Sequence, residues 1–185
     1  MDAAASGKET SRLAFAHRRK DVFALNQGIR NALRDPDNPE PETLLTTATG
    51  PRAFAKGERI VFTKNDRDLG VRNGMLGTVQ SVNDHKITVL MDGNPPLKVT
   101  FDPRKFQGFD HGYAVTIHKS QGATVDHAYV LGSRSMDPHL AYVAMTRHRS
   151  DLQVFLNAKD SPKWAALPRH SGPQQTRNRS GPSMG

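Results

Sequence analysis

The chain has 185 residues, enough for one domain of ordinary size with a buried core. Its 36% hydrophobic residues include no apolar run near the roughly 18 residues of a membrane span, and zero cysteines exclude disulfides and thiolate metal sites. The net charge of +8 favours a polyanionic partner such as nucleic acid, although about half of that excess comes from the acid-free end, namely Lys163, Arg169, Arg177 and Arg179.

The first part of an α/β unit is predicted before residue 56. Residues 1–10 are small and polar, so they are expected to be flexible. Leu13 and Phe15 predict a short buried strand, and a helix follows whose apolar residues recur at helical spacing: Val22, Leu25, Ile29 and Leu33. The proline-rich stretch 35–53 predicts a long connection with one short strand at 43–47.

From residue 56 the hydrophobic period changes to two, which is typical of strands. Four short segments are predicted at 58–63, 75–82, 86–91 and 97–101, with turns between them at Asn73-Gly74, Asn83-Asp84 and Asp92-Gly93. Each segment has one apolar face, so the stretch 56–105 is expected to form a small antiparallel barrel.

After residue 105 the pattern returns to α/β. A strand is predicted at 128–131, a helix at 140–148 and a further strand at 152–156. Asp137-Pro138 supports the start of the helix, because aspartate caps free amides and proline suits the first helical position. Residues 159–185 are rich in polar residues, glycine and proline, and they predict a disordered basic tail.

The segment Thr116–Gly122 concentrates groups that can hold phosphates and bases, with the sequence TIHKSQG. Hydroxyl, imidazole, ammonium and amide side chains stand together, and the final glycine allows a close approach of the backbone to an anion. On spacing alone, a polar loop that closes an α/β unit explains the segment equally well.

A second segment, Ala141–Arg149, joins an apolar helix face to cations at its carboxyl end, with the sequence AYVAMTRHR. For a single arginine, stabilisation of the helix terminus is a sufficient explanation.

In this order the two segments resemble motifs V and VI of superfamily 1B helicases of the RecD-like kind. The match covers Tyr113–Gly122 and Tyr142–Arg147 and is close to complete. The stretches 16–26, 65–77, 111–121 and 136–149 further resemble the helicase part of bacterial Ti-type conjugative relaxases, of the TraA or MobA kind. That resemblance covers residues 11–158 and neither tail.

The resemblance implies roles for individual residues. Arg147 matches the motif VI arginine finger that reaches the γ-phosphate of ATP. Arg19, or its neighbour Arg18, matches a motif IV arginine that approaches the same phosphate. Thr116, His118 and Lys119 match positions of motif V that contact single-stranded DNA, and Ser120 beside them is expected to contact DNA as well. Gln121 and Gly122 match the turn that couples this contact to the nucleotide cleft, where they are expected beside Arg147.

The fold implied is the RecA-like second motor domain of a superfamily 1 helicase, an α/β fold with partial sheet and flanking helices. Residues 11–55 and 106–158 match domain 2A, and residues 56–105 match an inserted SH3-like β-barrel, domain 2B. The barrel is expected to guide the DNA strand, although a stabilising module without a ligand is the alternative.

No segment matches a Walker A or Walker B motif. ATP with Mg²⁺ is therefore expected to be held mainly by a motor domain outside this chain, so the chain alone is expected to be inactive, with no cofactor bound. The expected partners are single-stranded DNA, the N-terminal motor and relaxase domains of the same parent protein, and components of the conjugation machinery. We expect a cytoplasmic fragment without membrane insertion.

Two other functions remain open, a stand-alone nucleic-acid-binding module with vestigial motor motifs and a protein-interaction domain of a transfer complex. Eight scattered histidines give no ligand spacing on a helix, so no metal site is expected. The cluster Asp66-Arg67-Asp68 with Arg72 is interpreted as a salt-bridged loop rather than a catalytic acid pair.

Overall fold

The computed structural model describes residues 10–120 and 124–163. In chain order its elements are β1 (Arg12–Ala16), α1 (Arg19–Leu33), β2 (Glu42–Thr47), β3 (Gly50–Ala55), β4 (Arg59–Phe62), β5 (Leu76–Asn83), β6 (Lys86–Met91), β7 (Lys98–Phe101), β8 (Phe109–His111), β9 (Ala114–Thr116), a 3-10 turn (His118–Ser120), β10 (Val125–Gly132), α2 (Pro138–Met145) and β11 (His148–Leu156).

A four-stranded parallel sheet forms the α/β body, in the order β11-β10-β1-β9. The predicted first strand, the predicted first helix and the strand near 128–131 are confirmed. The amide of Leu140 donates to the Asp137 carboxylate at 2.8 Å, which confirms the predicted cap of α2. The last strand begins at His148 rather than 152, so α2 is shorter than predicted.

The insertion forms a five-stranded antiparallel sheet in the order β7-β6-β5-β4-β8. Its fifth strand, Phe109–His111, lies beyond the predicted boundary at residue 105. A separate hairpin pairs β2 with β3. The strand predicted at 43–47 is confirmed as β2, but the sequence missed β3, which accommodates Pro51 in a two-stranded hairpin, where a missing backbone donor is tolerated.

The loop at Asp66–Arg72 contains no ion pair among the described residues, so the prediction of a salt-bridged loop is wrong. Backbone hydrogen bonds hold it instead: the amide of Asp66 donates to the carbonyl of Val71 at 2.9 Å, and the amide of Val71 donates back at 3.0 Å. The Asp66 carboxylate also accepts from the amide of Leu69 at 2.9 Å. Asp66 is therefore committed to the turn.

Two hydrophobic cores meet at strand β4. Ile60 and Phe62 point into the core of the antiparallel sheet and hairpin, whereas Val61 between them belongs to the core of the parallel sheet. Leu76 at the start of β5 joins Val61 in the core of the parallel sheet, which also contains Ile117. Since side chains alternate along a strand, β4 serves both cores at once. The insertion therefore packs directly against the body.

Residues 109–116 pass from one sheet into the other. Strand β8 pairs with β4, and β9, only two residues later, pairs with β1. Gly112 lies at the crossing, where a Cβ atom would come 2.5 Å from the backbone carbon of Ile60. A side chain at this position would push the two sheets apart.

Asn26 on α1 holds this crossing with its whole side-chain amide. Its Oδ1 accepts from the amides of Tyr113 at 3.0 Å and Ala114 at 2.9 Å, and its Nδ2 donates to the carbonyl of Ala114 at 3.0 Å. Asn26 is only 5% exposed. A buried polar side chain with satisfied partners fixes helix and strand in one register.

A buried ion network joins α1 to the hairpin and the insertion. The Nε of Arg30 donates to Glu58 at 2.6 Å, and its guanidinium also pairs with Glu42. Beside it His111 is 2% exposed, and its Nε2 donates to the carbonyl of Ala53 at 2.8 Å. Burial lowers the pKa of His111, although this hydrogen bond opposes the shift. The neutral imidazole is therefore favoured.

We predict that Asn26→Ala lowers the free energy of unfolding by about 2–4 kcal/mol, because it leaves the amides of Tyr113 and Ala114 without acceptors in the interior. Equilibrium unfolding in urea measures this change. Asn31→Ala, on the exposed side of the same helix, is the matched control and should change stability by less than about 0.5 kcal/mol. Equal effects of the two substitutions would contradict the role given to Asn26.

Candidate functional site

The carboxyl ends of the parallel strands gather polar residues at one edge of the sheet. Strand β1 leads to residues 17–19, β9 to residues 117–119 and β10 to residues 133–135. Loops at this edge of an open α/β sheet commonly form binding sites, because parallel strands deliver their following residues to the same side. We call these three segments the carboxyl-edge cluster.

Two imidazoles and two hydroxyls lie together in this cluster. His17 Nδ1 and Ser135 Oγ form a hydrogen bond of 2.9 Å, and Ser135 Oγ forms another with Ser133 Oγ at 3.0 Å. The rings of His17 and His118 are 5.8 Å apart between centroids, at an interplanar angle of 60°. Sequence reasoning missed His17, Ser133 and Ser135 as site residues. Their position directly after strands was the available signal.

The segment that resembles motif V, called here the motif segment, begins at Thr116 and turns sharply after β9. The amide of Lys119 donates to Thr116 Oγ1 at 3.3 Å, so this hydroxyl already supports the turn. The ring of His118 is exposed and Lys119 is half-buried. Burial lowers the pKa of Lys119, the charge of Arg19 lowers it further, and Asp110 raises it. Arg19 and Lys119 are therefore neighbouring cations at this edge.

The N-cap residue of α1, Arg18, and its first helical residue, Arg19, differ in their surroundings. Arg18 donates to Asp21 at 2.6 Å and pairs also with Asp160. Those carboxylates raise the pKa of Arg18 and compensate its charge. Arg19 is exposed and forms no ion pair with any described residue. The uncompensated cation is thus Arg19.

The start of the predicted disordered tail is held against the same edge. Besides its pair with Arg18, Asp160 accepts from the amide of Arg134 at 3.3 Å. The hydroxyl of Ser161 donates to the carbonyl of Asn157 at 2.7 Å. Residues 159–163 therefore belong to the folded body, contrary to the predicted boundary at 159.

Arg147 lies at the opposite, amino edge of the parallel sheet. It follows α2, and its carbonyl accepts from the amide of Val125 at 2.9 Å, where β10 begins. The Nε of Arg147 is buried and has no hydrogen-bond partner among the described residues. An unpaired buried donor on a cation is costly, so this Nε is suited to an acceptor from outside the described residues.

The length of the sheet separates the two edges. Val125 aligns with His148 at one end of β10, and Leu131 aligns with Ala16 near the other end. Six residues at about 3.3 Å each give about 20 Å between these levels. Arg19 lies beyond Ala16 and Arg147 lies before His148, so the two arginines are at different edges of the sheet. The resemblance had implied instead that both approach one phosphate.

Two connections lead from the carboxyl edge to the amino edge: residues 117–124, and residues 133–147, which include α2. Residues 117–124 run from the end of β9 to the start of β10. Gln121 and Gly122, two of the predicted site residues, lie outside the described residues. For Ser120 only the backbone is described, as the last residue of the 3-10 turn.

The sequence model of the viral superfamily 1 RNA helicase core domain matches residues 43–156. The chain belongs to this family of superfamily 1 helicases. The match includes the insertion and both predicted motor motifs.

Relatives of this helicase chain include a conjugation protein and a DNA helicase. The conjugal transfer protein TraA of Agrobacterium fabrum is 46% identical over 148 residues, which are 80% of this chain and 14% of that protein. The ATP-dependent RecD2 DNA helicase of Deinococcus radiodurans is 32% identical over 114 residues, 58% of this chain and 15% of that protein. The chain thus spans about one seventh of these relatives, and the resemblance to the helicase region of a conjugative relaxase is confirmed.

The fold is similar to that of a solved helicase. A crystal structure of Pif1 helicase from Bacteroides, in complex with ADP-AlF3 and ssDNA, superposes with a TM-score of 0.61 and 22% identity, covering 86% of this chain and 44% of that one. The RecA-like character predicted for the parallel sheet agrees with this likeness. Among the described residues, no helix is long and apolar enough to cross a membrane.

Proposed function

We propose that this chain is the second motor half of an ATP-dependent DNA helicase, within a conjugative relaxase that unwinds and transfers plasmid DNA. The observation that carries the proposal is the carboxyl-edge cluster. It presents Arg19, His118 and Lys119 beside serine hydroxyls, and none of these three cation-capable side chains forms an ion pair with a described carboxylate. Such groups bind phosphates without reading base sequence, as a translocating motor requires.

The names of the relatives support the same assignment. TraA is named a conjugal transfer protein, RecD2 is named an ATP-dependent DNA helicase, and the Pif1 structure contains ssDNA. The parent protein would supply the N-terminal motor domain and the relaxase domain as partners. Components of the conjugation machinery would be further partners, in the bacterial cytoplasm.

Residues 11–55 and 106–158 would form domain 2A, and the antiparallel insertion would be the SH3-like domain 2B. Five antiparallel strands around an aromatic core support this assignment, with Phe62, Phe101, Phe106 and Phe109 in ring contact. Its β4–β8 end contacts the body, next to the carboxyl-edge cluster, so it would lie along the DNA strand.

At the amino edge, Arg147 would act as an arginine finger. The buried, unpartnered Nε fits a side chain that awaits an anion from a neighbouring domain. ATP with Mg²⁺, held mainly by the other motor domain, would supply the phosphoryl group whose transfer drives movement. Arg147 would stabilise the negative charge that develops there, with Gln121 and Gly122 on the link toward it. Arg19 is reassigned to the DNA side, together with Thr116 and Ser120.

The two edges give the motor a way to couple its ligands. The link 117–124 begins beside the proposed DNA contacts and ends beside Arg147. A shift of Arg147 toward a phosphate would therefore pull on the same short segment that carries Lys119. Closure and release would then change the grip on DNA, which is how a conformational step becomes movement.

We predict that Lys119→Ala weakens binding of the chain to single-stranded DNA about fivefold, or about 1 kcal/mol, because one phosphate contact is lost. The slope of log affinity against log salt should fall in magnitude by about 0.7, the value for one contact on a single strand. Fluorescence anisotropy over a salt series measures both quantities.

The matched control is Lys86→Ala. Lys86 is exposed at the far end of the β5–β6 hairpin, whereas Leu76 at the other end of β5 packs in the body. The same titration is made on a chain that ends at residue 163. Two outcomes would contradict the proposal that the carboxyl-edge cluster binds DNA: loss of binding when residues 164–185 are removed, or an equal effect of Lys86→Ala and Lys119→Ala. Either outcome would mean that the affinity comes from nonspecific positive charge. A stand-alone binding module would show that behaviour, and an interaction module would show little binding at all.

In the full-length parent enzyme, we predict that Arg147→Ala lowers DNA-stimulated ATP turnover by at least about 10³-fold, the usual effect of an arginine finger. Affinity for single-stranded DNA should change less than about twofold, because the DNA contacts lie at the other edge. Steady-state ATPase and anisotropy assays on one preparation separate the two effects. Arg149→Ala, whose guanidinium is exposed and lies 3.8 Å from Asp126, is the control; a similar loss there would argue against a specific role of Arg147.

A further inference from the structure

The turn at the end of the 65–74 loop reaches the motif segment. This loop leaves β4 and returns to β5, and the bridge between Asp66 and Val71 closes it. The amide of Asn73 donates to Asn65 Oδ1 at 2.8 Å, so the two ends of the loop are tied together. We call residues 72–75 the brace turn. It is fixed from within the insertion.

Gly74 is the point of contact. It has a φ of +94°, and a Cβ atom there would lie 2.4 Å from the carbonyl oxygen of Lys119. The amide of Gly74 donates to the carbonyl of Phe62 at 2.7 Å, and Phe62 is fully buried in the core of the insertion. The backbone of the brace turn therefore abuts the backbone of Lys119, with the antiparallel sheet behind it.

The same region is joined below the surface. Val61 and Leu76, which flank the 65–74 loop, pack in one core with Ile117, two residues before Lys119. The turn at Lys119 is thus held by Thr116 on one side and by Gly74 on the other. A displacement of the insertion relative to the body would be passed on to Lys119 first.

We propose that Gly74 is a positioning residue that sets the pose of Lys119 toward the DNA phosphates, so that the insertion controls the grip of the motif segment. This role rests on the proposed function, because it needs Lys119 as a DNA contact. Gly74 itself offers DNA no side chain. Its effect reaches DNA only through the carbonyl against which it packs.

The test is Gly74→Ala, with Gly70→Ala as the matched control. Gly70 lies in the same loop with a φ of +69°, but a Cβ atom there meets nothing within 4 Å. Both substitutions strain a left-handed backbone, and only one displaces Lys119. Gly74→Ala should weaken binding of the chain to a single-stranded oligonucleotide about fivefold, as much as Lys119→Ala, while Gly70→Ala changes it less than about 1.5-fold.

A double-mutant cycle distinguishes positioning from general destabilisation. In the Lys119→Ala background, Gly74→Ala should cause less than about a 1.5-fold further change. An equal loss of affinity in both backgrounds, or an equal loss of affinity from Gly70→Ala, would overturn the positioning role of Gly74. Neither result would contradict the proposed contact of Lys119 with DNA. If Lys119→Ala alone has no effect, the proposed DNA contact fails as well.

Asn65→Ala covers the case in which Gly74→Ala does not fold. It removes the hydrogen bond to the amide of Asn73 and adds no atom near Lys119. A loss of about twofold that vanishes in the Lys119→Ala background supports the role of the brace turn. Unchanged affinity would overturn it.

Discussion

The crossing of residues 109–116 from one sheet to the other is the constraint on which the rest of this structure depends. One extended segment is the edge strand β8 of the insertion and, two residues later, the edge strand β9 of the body. Gly112 allows the backbones to touch, and Asn26 fixes the register with three hydrogen bonds. The motif segment follows this crossing directly. Its position is therefore determined by both sheets together, and the buried pair of Arg30 and Glu58 reinforces the same joint.

From this joint, the parallel sheet divides the proposed chemistry between its two edges. Cations and hydroxyls lie at the carboxyl edge. Arg147, whose buried Nε has no hydrogen-bond partner among the described residues, lies at the amino edge, about 20 Å away along β10. In a motor, such separation lets two ligands occupy one domain without competing. Residues 117–124 lead in sequence from the end of β9 at the carboxyl edge to the start of β10 at the amino edge, and residues 133–147 lead from the carboxyl edge to Arg147.

Much of this fold could be predicted from the sequence, because hydrophobic period and turn residues act locally. Strands β1, β5, β6 and β7, helix α1 and the cap at Asp137 follow from such signals. Strand β3 could not be predicted in this way, because Pro51 is typical of loops. Strand β8 was missed because its three residues are too few to show a period. The long-range arrangement was also hidden. Ser135 meets His17 across 118 residues, and only the strand order shows that Arg19 and Arg147 lie at opposite edges. The motifs name candidate residues along the chain, and the strand order shows where those residues lie.

The most direct test of the division between the edges is photocrosslinking of a single-stranded oligonucleotide to the chain, with the modified residues identified by mass spectrometry. The account predicts crosslinks within residues 17–19, 116–119 and 133–135, and competition by unlabelled single strand but not by an equal amount of duplex. Crosslinks concentrated at the amino edge, around Arg12, Asp126 and Arg149, would contradict it.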